Sequence, residues 1–128
     1  MAFNWNDYLI LASELARKPD EASKRTAISR AYYCVFNLAY ARAESTVGSR
    51  PKGARYHQWC WDQYKKTPDK TCARLGNTGD RLKRIRVDAD YKDKAIFRLD
   101  EQVKSVLQDA DEFLTMLACL DAKYPEPK

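Results

Sequence analysis

The sequence predicts an all-α fold, a single-domain antiparallel bundle of about five helices, and three observations carry that prediction. Glycine and proline are scarce, at four and five residues, which disfavours the many tight turns of an all-β design. Near the C-terminus Leu99, Val103, Val106, Ala110, Phe113, Leu117 and Leu120 alternate steps of four and three without a miss, the seam of a bundle helix about three heptads long. Residues 21–46 carry an apolar face so broad that several neighbours must pack against it. A chain of 128 residues can bury such a core without disulfides or metals.

Taken in order, Trp5, Tyr8, Leu9, Ala12, Leu15 and Ala16 recur at helical steps, with Asn4 or Asn6 as the cap and Arg17-Lys18-Pro19 as the stop. Asp20 then caps the long central helix. Its apolar face is Ile28, Tyr32, Val35, Phe36, Ala39 and Ala43, while Arg30, Tyr33 and Asn37 share a separate polar stripe. Residues 47–54 read as a basic, mobile loop. A shorter helix follows with Tyr56, Trp59, Cys60 and Tyr64 at helical spacing and Trp61 nearby, ended by Thr67-Pro68-Asp69. The fourth helix spans about Thr71 to Asp88 and turns Cys72, Leu75, Gly79, Leu82 and Ile85 inward. Gly76 and Gly79 either permit a close helix–helix approach or mark a break near Gly76-Asn77, and the break is the expectation adopted. The last helix completes a bundle over residues 1–124 and leaves 125–128 as a tail.

The formal net charge of +5 conceals a strong asymmetry. Residues 1–86 carry 17 Lys+Arg against 8 Asp+Glu, and residues 87–128 carry 6 against 10. Residues 50–86 alone hold 11 against 3, a concentration of positive charge suited to an anionic partner such as nucleic acid. Four cysteines without CxxC spacing and one histidine exclude a zinc site, and Cys34 and Cys119 fall in apolar helical patterns that predict small buried thiols. No stretch has the length of a membrane span and the N-terminus has no signal-peptide pattern, so a reduced, cytoplasmic protein is expected. No glycine-rich phosphate loop, Ser-His-Asp order or metal-ligand spacing is present, and no cofactor is called for.

Three places concentrate chemistry. Around Arg86 the charge changes sign within a few residues, from Arg81, Lys83, Arg84 and Arg86 to Asp88, Asp90 and Asp93. Arg86, Asp90 and Tyr91 are expected to meet if the helix ends near Val87 or Asp88. Arg30, mid-way along the central helix, must be exposed or paired, because an unpaired buried guanidinium is too costly. One reading pairs it with Asp90. The other turns Arg30, Tyr33 and Arg86 toward one groove, where the forked guanidinium donors and the tyrosine face hold a phosphate or nucleobase. Third is His57, the sole side chain whose ordinary pKa lies near neutrality.

The segments Arg25-Thr-Ala-Ile-Ser-Arg-Ala-Tyr-Tyr-Cys-Val-Phe36 and Leu82-x-x-Ile-Arg-x-x-Ala-Asp-Tyr91, with His57 between them, resemble the HEPN domains of prokaryotes over nearly the whole chain. The resemblance implies a helical, often dimeric domain. It also implies a metal-independent endoribonuclease of toxin–antitoxin, CRISPR or anti-phage systems, or else a non-catalytic subunit paired with a nucleotidyltransferase. Ribonuclease members carry an arginine followed shortly by a histidine. Arg86 matches the arginine, whereas positions 91–93 are Tyr, Lys and Asp, so the histidine is missing. By this resemblance Arg86, Tyr91 and His57 are the catalytic candidates. Arg30, Tyr33, Asp90, Arg84 and Lys83 are the candidates for binding RNA or a nucleotide.

Overall fold

Helix α2 (Glu21–Val47) touches each of the other four helices, α1 (Asn6–Ala16), α3 (Tyr56–Lys66), α4 (Lys70–Tyr91) and α5 (Leu99–Lys123). This computed structural model describes residues 2–124, and the tail expected at 125–128 lies outside the described residues. The fold is an all-α bundle of five helices with no strand among the described residues. No helix among those residues is long and apolar enough to cross a membrane.

Local chemistry sets the helix ends. The Asp20 carboxylate accepts the Ser23 backbone N–H at 2.9 Å and starts α2. Asp69 does the same for α4, accepting from Thr71 and Cys72 at 2.8 and 3.2 Å. At α1 the Asn4 side-chain oxygen accepts the Asn6 N–H at 3.1 Å, so Asn4 serves the first turn while Trp5 occupies the cap position. The 47–54 connection is pinned in part by Arg50, whose guanidinium lies 3.7 Å from the centre of the Tyr56 ring.

The seam of α5 is buried from Val103 to Leu120 as its spacing predicts, with Phe113 edge-on to Trp61 at 5.8 Å. The core differs from expectation in α3 and α4. Trp61 rather than Trp59 or Tyr56 fills the centre, fully buried, while Tyr56 is exposed. Helix α4 does not break at Gly76-Asn77; it runs unbroken to Tyr91, past the expected end at Asp88. The glycines serve the close approach. A Cβ on Gly79 would sit 2.4 Å from Trp61 Cδ2, and one on Gly76 would sit 3.0 Å from the Trp61 carbonyl oxygen. Tertiary packing thus outweighs the helix cost of about 1 kcal/mol per glycine. A second correction concerns the thiols: Cys34 is buried as expected, but Cys119 is exposed.

Candidate functional site: an arginine–tyrosine groove

Residues three and four apart on α2 project from one side, and α1 and the end of α4 flank that side. The result is an open groove of about 410 Å³. Trp5 and Tyr8 of α1 form one wall, Arg30, Tyr33 and Asn37 of α2 the floor, and Asp90 of α4 the far edge. The Arg30 guanidinium carbon lies 4.8 Å from the Tyr8 ring centre and 5.2 Å from that of Tyr33, bridging α1 and α2.

Arg86 approaches the same aromatic pair from α4. Its guanidinium carbon is 5.4 Å from the Tyr32 ring centre and 5.3 Å from that of Tyr33, and the residue is only 7% exposed. Its carboxylate partner is Asp90, one turn later on the continuous helix, at 3.4 Å. Arg86 and Asp90 therefore meet because α4 continues, not because it ends near Val87 or Asp88. Of the two readings of Arg30, its direct ion pair with Asp90 is not formed. Arg30 donates to the Ser29 hydroxyl at 3.2 Å, and that hydroxyl donates to Asp90 at 3.3 Å. Asp90 thus meets Arg86 directly and Arg30 only through the Ser29 hydroxyl, over bonds at the long limit of hydrogen bonding. The Nε atoms of Arg30 and Arg86, like those of Arg25 and Arg50, are buried without a hydrogen-bond partner among the described residues. What sets Arg30 and Arg86 apart is that both guanidinium groups lie against Tyr33 in the floor of an open groove, where an anion can reach them.

Arg25 holds this end of α4 in place. It donates to the carbonyl oxygens of Lys92 at 2.6 Å, Lys94 at 2.9 Å and Ala89 at 3.4 Å. Ala89 lies in the last turn and Lys92 and Lys94 just beyond it, where orphan carbonyls carry the negative end of the helix dipole. The arginine explains why the helix reaches Tyr91.

His57, remote in sequence, is brought against the Tyr32–Tyr33 pair by the first turn of α3. Its Nδ1 lies 2.6 Å from the Tyr32 hydroxyl, and its ring stacks on Phe36 at 4.0 Å. Burial, together with the positive charges of Arg86 and Lys83, pushes the imidazole pKa down to about 4, so the ring is neutral at pH 7. Burial also raises the Tyr32 phenol well above its ordinary value.

Among the sequence candidates, Arg30, Tyr33 and Asp90 line this groove, and Arg86 and His57 pack against its tyrosine. Lys83, Arg84 and Tyr91 do not. Lys83 and Arg84 line a separate recess with Asp80, Val87 and Asp88, and Tyr91 is 73% exposed. Sequence reasoning assigned Trp5, Tyr8 and Tyr32 to apolar faces and passed over Ser29 and Arg25. The hydroxyls of Tyr8 and Tyr32 were a hint, since a buried tyrosine must find a polar partner. Among the described residues no group of three His, Cys, Asp or Glu side chains is placed to hold a metal ion. Comparison with family models, curated proteins and solved structures finds no match.

Proposed function

We propose that this chain is a HEPN-type cytoplasmic protein of a toxin–antitoxin or anti-phage defence system that binds RNA in the arginine–tyrosine groove. The observation that carries the reading is the pair of guanidinium groups flanking Tyr33 at an open groove walled by Trp5 and Tyr8. Single-stranded RNA supplies what both need: phosphate oxygens for the arginines and flat bases for Tyr33, Tyr8 and Trp5. The half-buried tyrosines and Trp5 are arranged around an open groove rather than sealed in the core.

If the groove also supports cleavage, the chemistry is metal-independent attack by the ribose 2′-hydroxyl on the adjacent phosphate: a 2′,3′-cyclic phosphate forms as the P–O5′ bond breaks, the 2′ proton passes to solvent water and the departing 5′ oxygen takes a proton from water. Arg86 would stabilise the developing negative charge, and Arg30 and Tyr33 would position the strand. Fluorescence anisotropy with labelled single-stranded RNA tests binding. Tyr33→Ala and Arg30→Ala are each expected to weaken it about tenfold, the scale of one lost stacking or charged contact. Undiminished binding by both variants sinks the reading. Incubation with total RNA in EDTA, beside Arg86→Ala, separates cleavage from binding: equal degradation by both proteins leaves the site no catalytic role.

A second reading, a subunit that forms a homodimer or docks on a nucleotidyltransferase or other effector protein, draws on a different observation. Val87 and Tyr91 lie one turn apart on the outer face of α4, 38% and 73% exposed, and Phe97 just beyond is 76% exposed. Sedimentation of Tyr91→Glu beside the wild type tests the homodimer. A wild type that stays monomeric across the accessible concentration range counts against self-association.

A further inference from the structure

Tyr32 has one proton to donate and is 0% exposed. Its hydroxyl oxygen receives the indole N–H of Trp61 at 3.2 Å, a group that can only donate. The sole remaining neighbour within hydrogen-bond distance of that hydroxyl among the described residues is His57 Nδ1, at 2.6 Å. A buried hydroxyl without an acceptor is costly, so Tyr32 donates to Nδ1 and Nδ1 carries no hydrogen. The imidazole hydrogen must then sit on Nε2. That atom has no hydrogen-bond partner among the described residues and is not among the buried polar atoms left without one, so it reaches solvent.

We infer that Trp61 and Tyr32 lock His57 as a neutral Nε2–H donor, and that this donor forms a phosphate subsite beside the tyrosines of the groove. The ligand class rests on the RNA reading above; the tautomer does not. A neutral N–H that faces solvent suits a phosphate oxygen, which only accepts hydrogen bonds. The same lock denies His57 the role of general base. Nε2 already holds its proton, and protonating Nδ1 would set two donors face to face with Tyr32. The depressed pKa of the ring, caused first by burial and then by Arg86 and Lys83, accords with that geometry.

The chain has a single histidine, so a nitrogen-15 spectrum of its imidazole is unambiguous. At pH 7 the free wild-type protein is expected to show Nδ1 as the unprotonated nitrogen and Nε2 as the protonated one, and Tyr32→Phe is expected to give a mixture of tautomers. A wild-type ring protonated at Nδ1 overturns the lock, whatever becomes of RNA binding. Inorganic phosphate and a single-stranded oligoribonucleotide of about six nucleotides are then titrated separately. Both are expected to shift Nε2 saturably, and His57→Phe to weaken oligonucleotide binding about three- to tenfold while His57→Gln, which keeps a donor, loses less. If phosphate shifts Nε2 and the oligonucleotide does not bind, the subsite stands and the RNA reading falls. If the oligonucleotide binds in a Tyr33-dependent way without moving Nε2, the subsite falls and the RNA reading stands. No response to either ligand overturns the subsite.

Discussion

Trp61 and Arg86 both lie against Tyr32, from α3 and α4, and they are buried in opposite ways. Trp61 packs against a glycine on one side and Phe113 on another, and its one polar side-chain atom bonds to the Tyr32 hydroxyl. Arg86 is nearly as buried, yet one of its nitrogens has no partner and its ion pair is 3.4 Å long. Arg42 offers a tighter pairing for comparison, since it meets Asp121 at 2.7 Å and ties α2 to α5. The first region is filled and satisfied, which is how a protein secures stability. The second leaves donors unmade, a cost of about 1–3 kcal/mol for each buried group, which a ligand can relieve.

The contrast can be broken at either end. The largest expected effect is at the filled seam. Gly79→Ala drives a methyl group into the Trp61 ring and is expected to cost about 3 kcal/mol or more in urea unfolding, while Asn77→Ala on the exposed side changes stability by less than about 0.5 kcal/mol. Near-neutral behaviour of Gly79→Ala would show that the α3–α4 contact is loose.

Arg86→Met is the decisive variant for the groove. Replacing an incompletely paired buried ion with a flexible apolar side chain of similar length is expected to leave stability unchanged or raise it, while RNA affinity falls about tenfold. A loss of several kcal/mol with binding intact would make Arg86 a structural clasp, and the same result at Arg30→Ala would extend that role to the whole cluster. Arg42→Ala provides the counterpart. It is expected to lower stability by about 1 kcal/mol, because Asp121 is largely solvated, and to leave binding untouched.

His57 adds a pH signature. The unfolded chain protonates this imidazole near pH 6.5, whereas the folded protein does so only at about 4. Between those values the unfolded state holds more protons, so stability falls as pH drops from about 6.5 to about 4. Urea midpoints across that window are expected to lose this part of their slope in His57→Gln. An unchanged slope would place the imidazole in a solvated setting. The smallest effect is expected at Tyr91→Ala, whose exposed ring should contribute less than about 0.5 kcal/mol to stability and nothing to RNA affinity. A marked loss of binding there would bring Tyr91 back into the site.

The periodic parts of the molecule were legible in the chain itself. The α5 seam, the span of α2 and the Asp20 cap follow from short-range rules, because a helix face repeats every three or four residues and a cap needs only its own first turn. The polar stripe of Arg30, Tyr33 and Asn37 was legible for the same reason. The Gly76–Gly79 pair misled, since a local cost of about 1 kcal/mol per glycine says nothing of a tryptophan arriving from another helix.

By itself, then, the sequence determined which residues share a face: the apolar seams that require a bundle, and the separate polar stripe of Arg30, Tyr33 and Asn37. Only the tertiary structure decided which faces meet. It brought His57 beneath Tyr32, interposed Ser29 between Arg30 and Asp90, and exposed Tyr91. A side chain's partners across helices depend on how the helices cross, and that is set by the packing of all the seams together rather than by the spacing within any one of them.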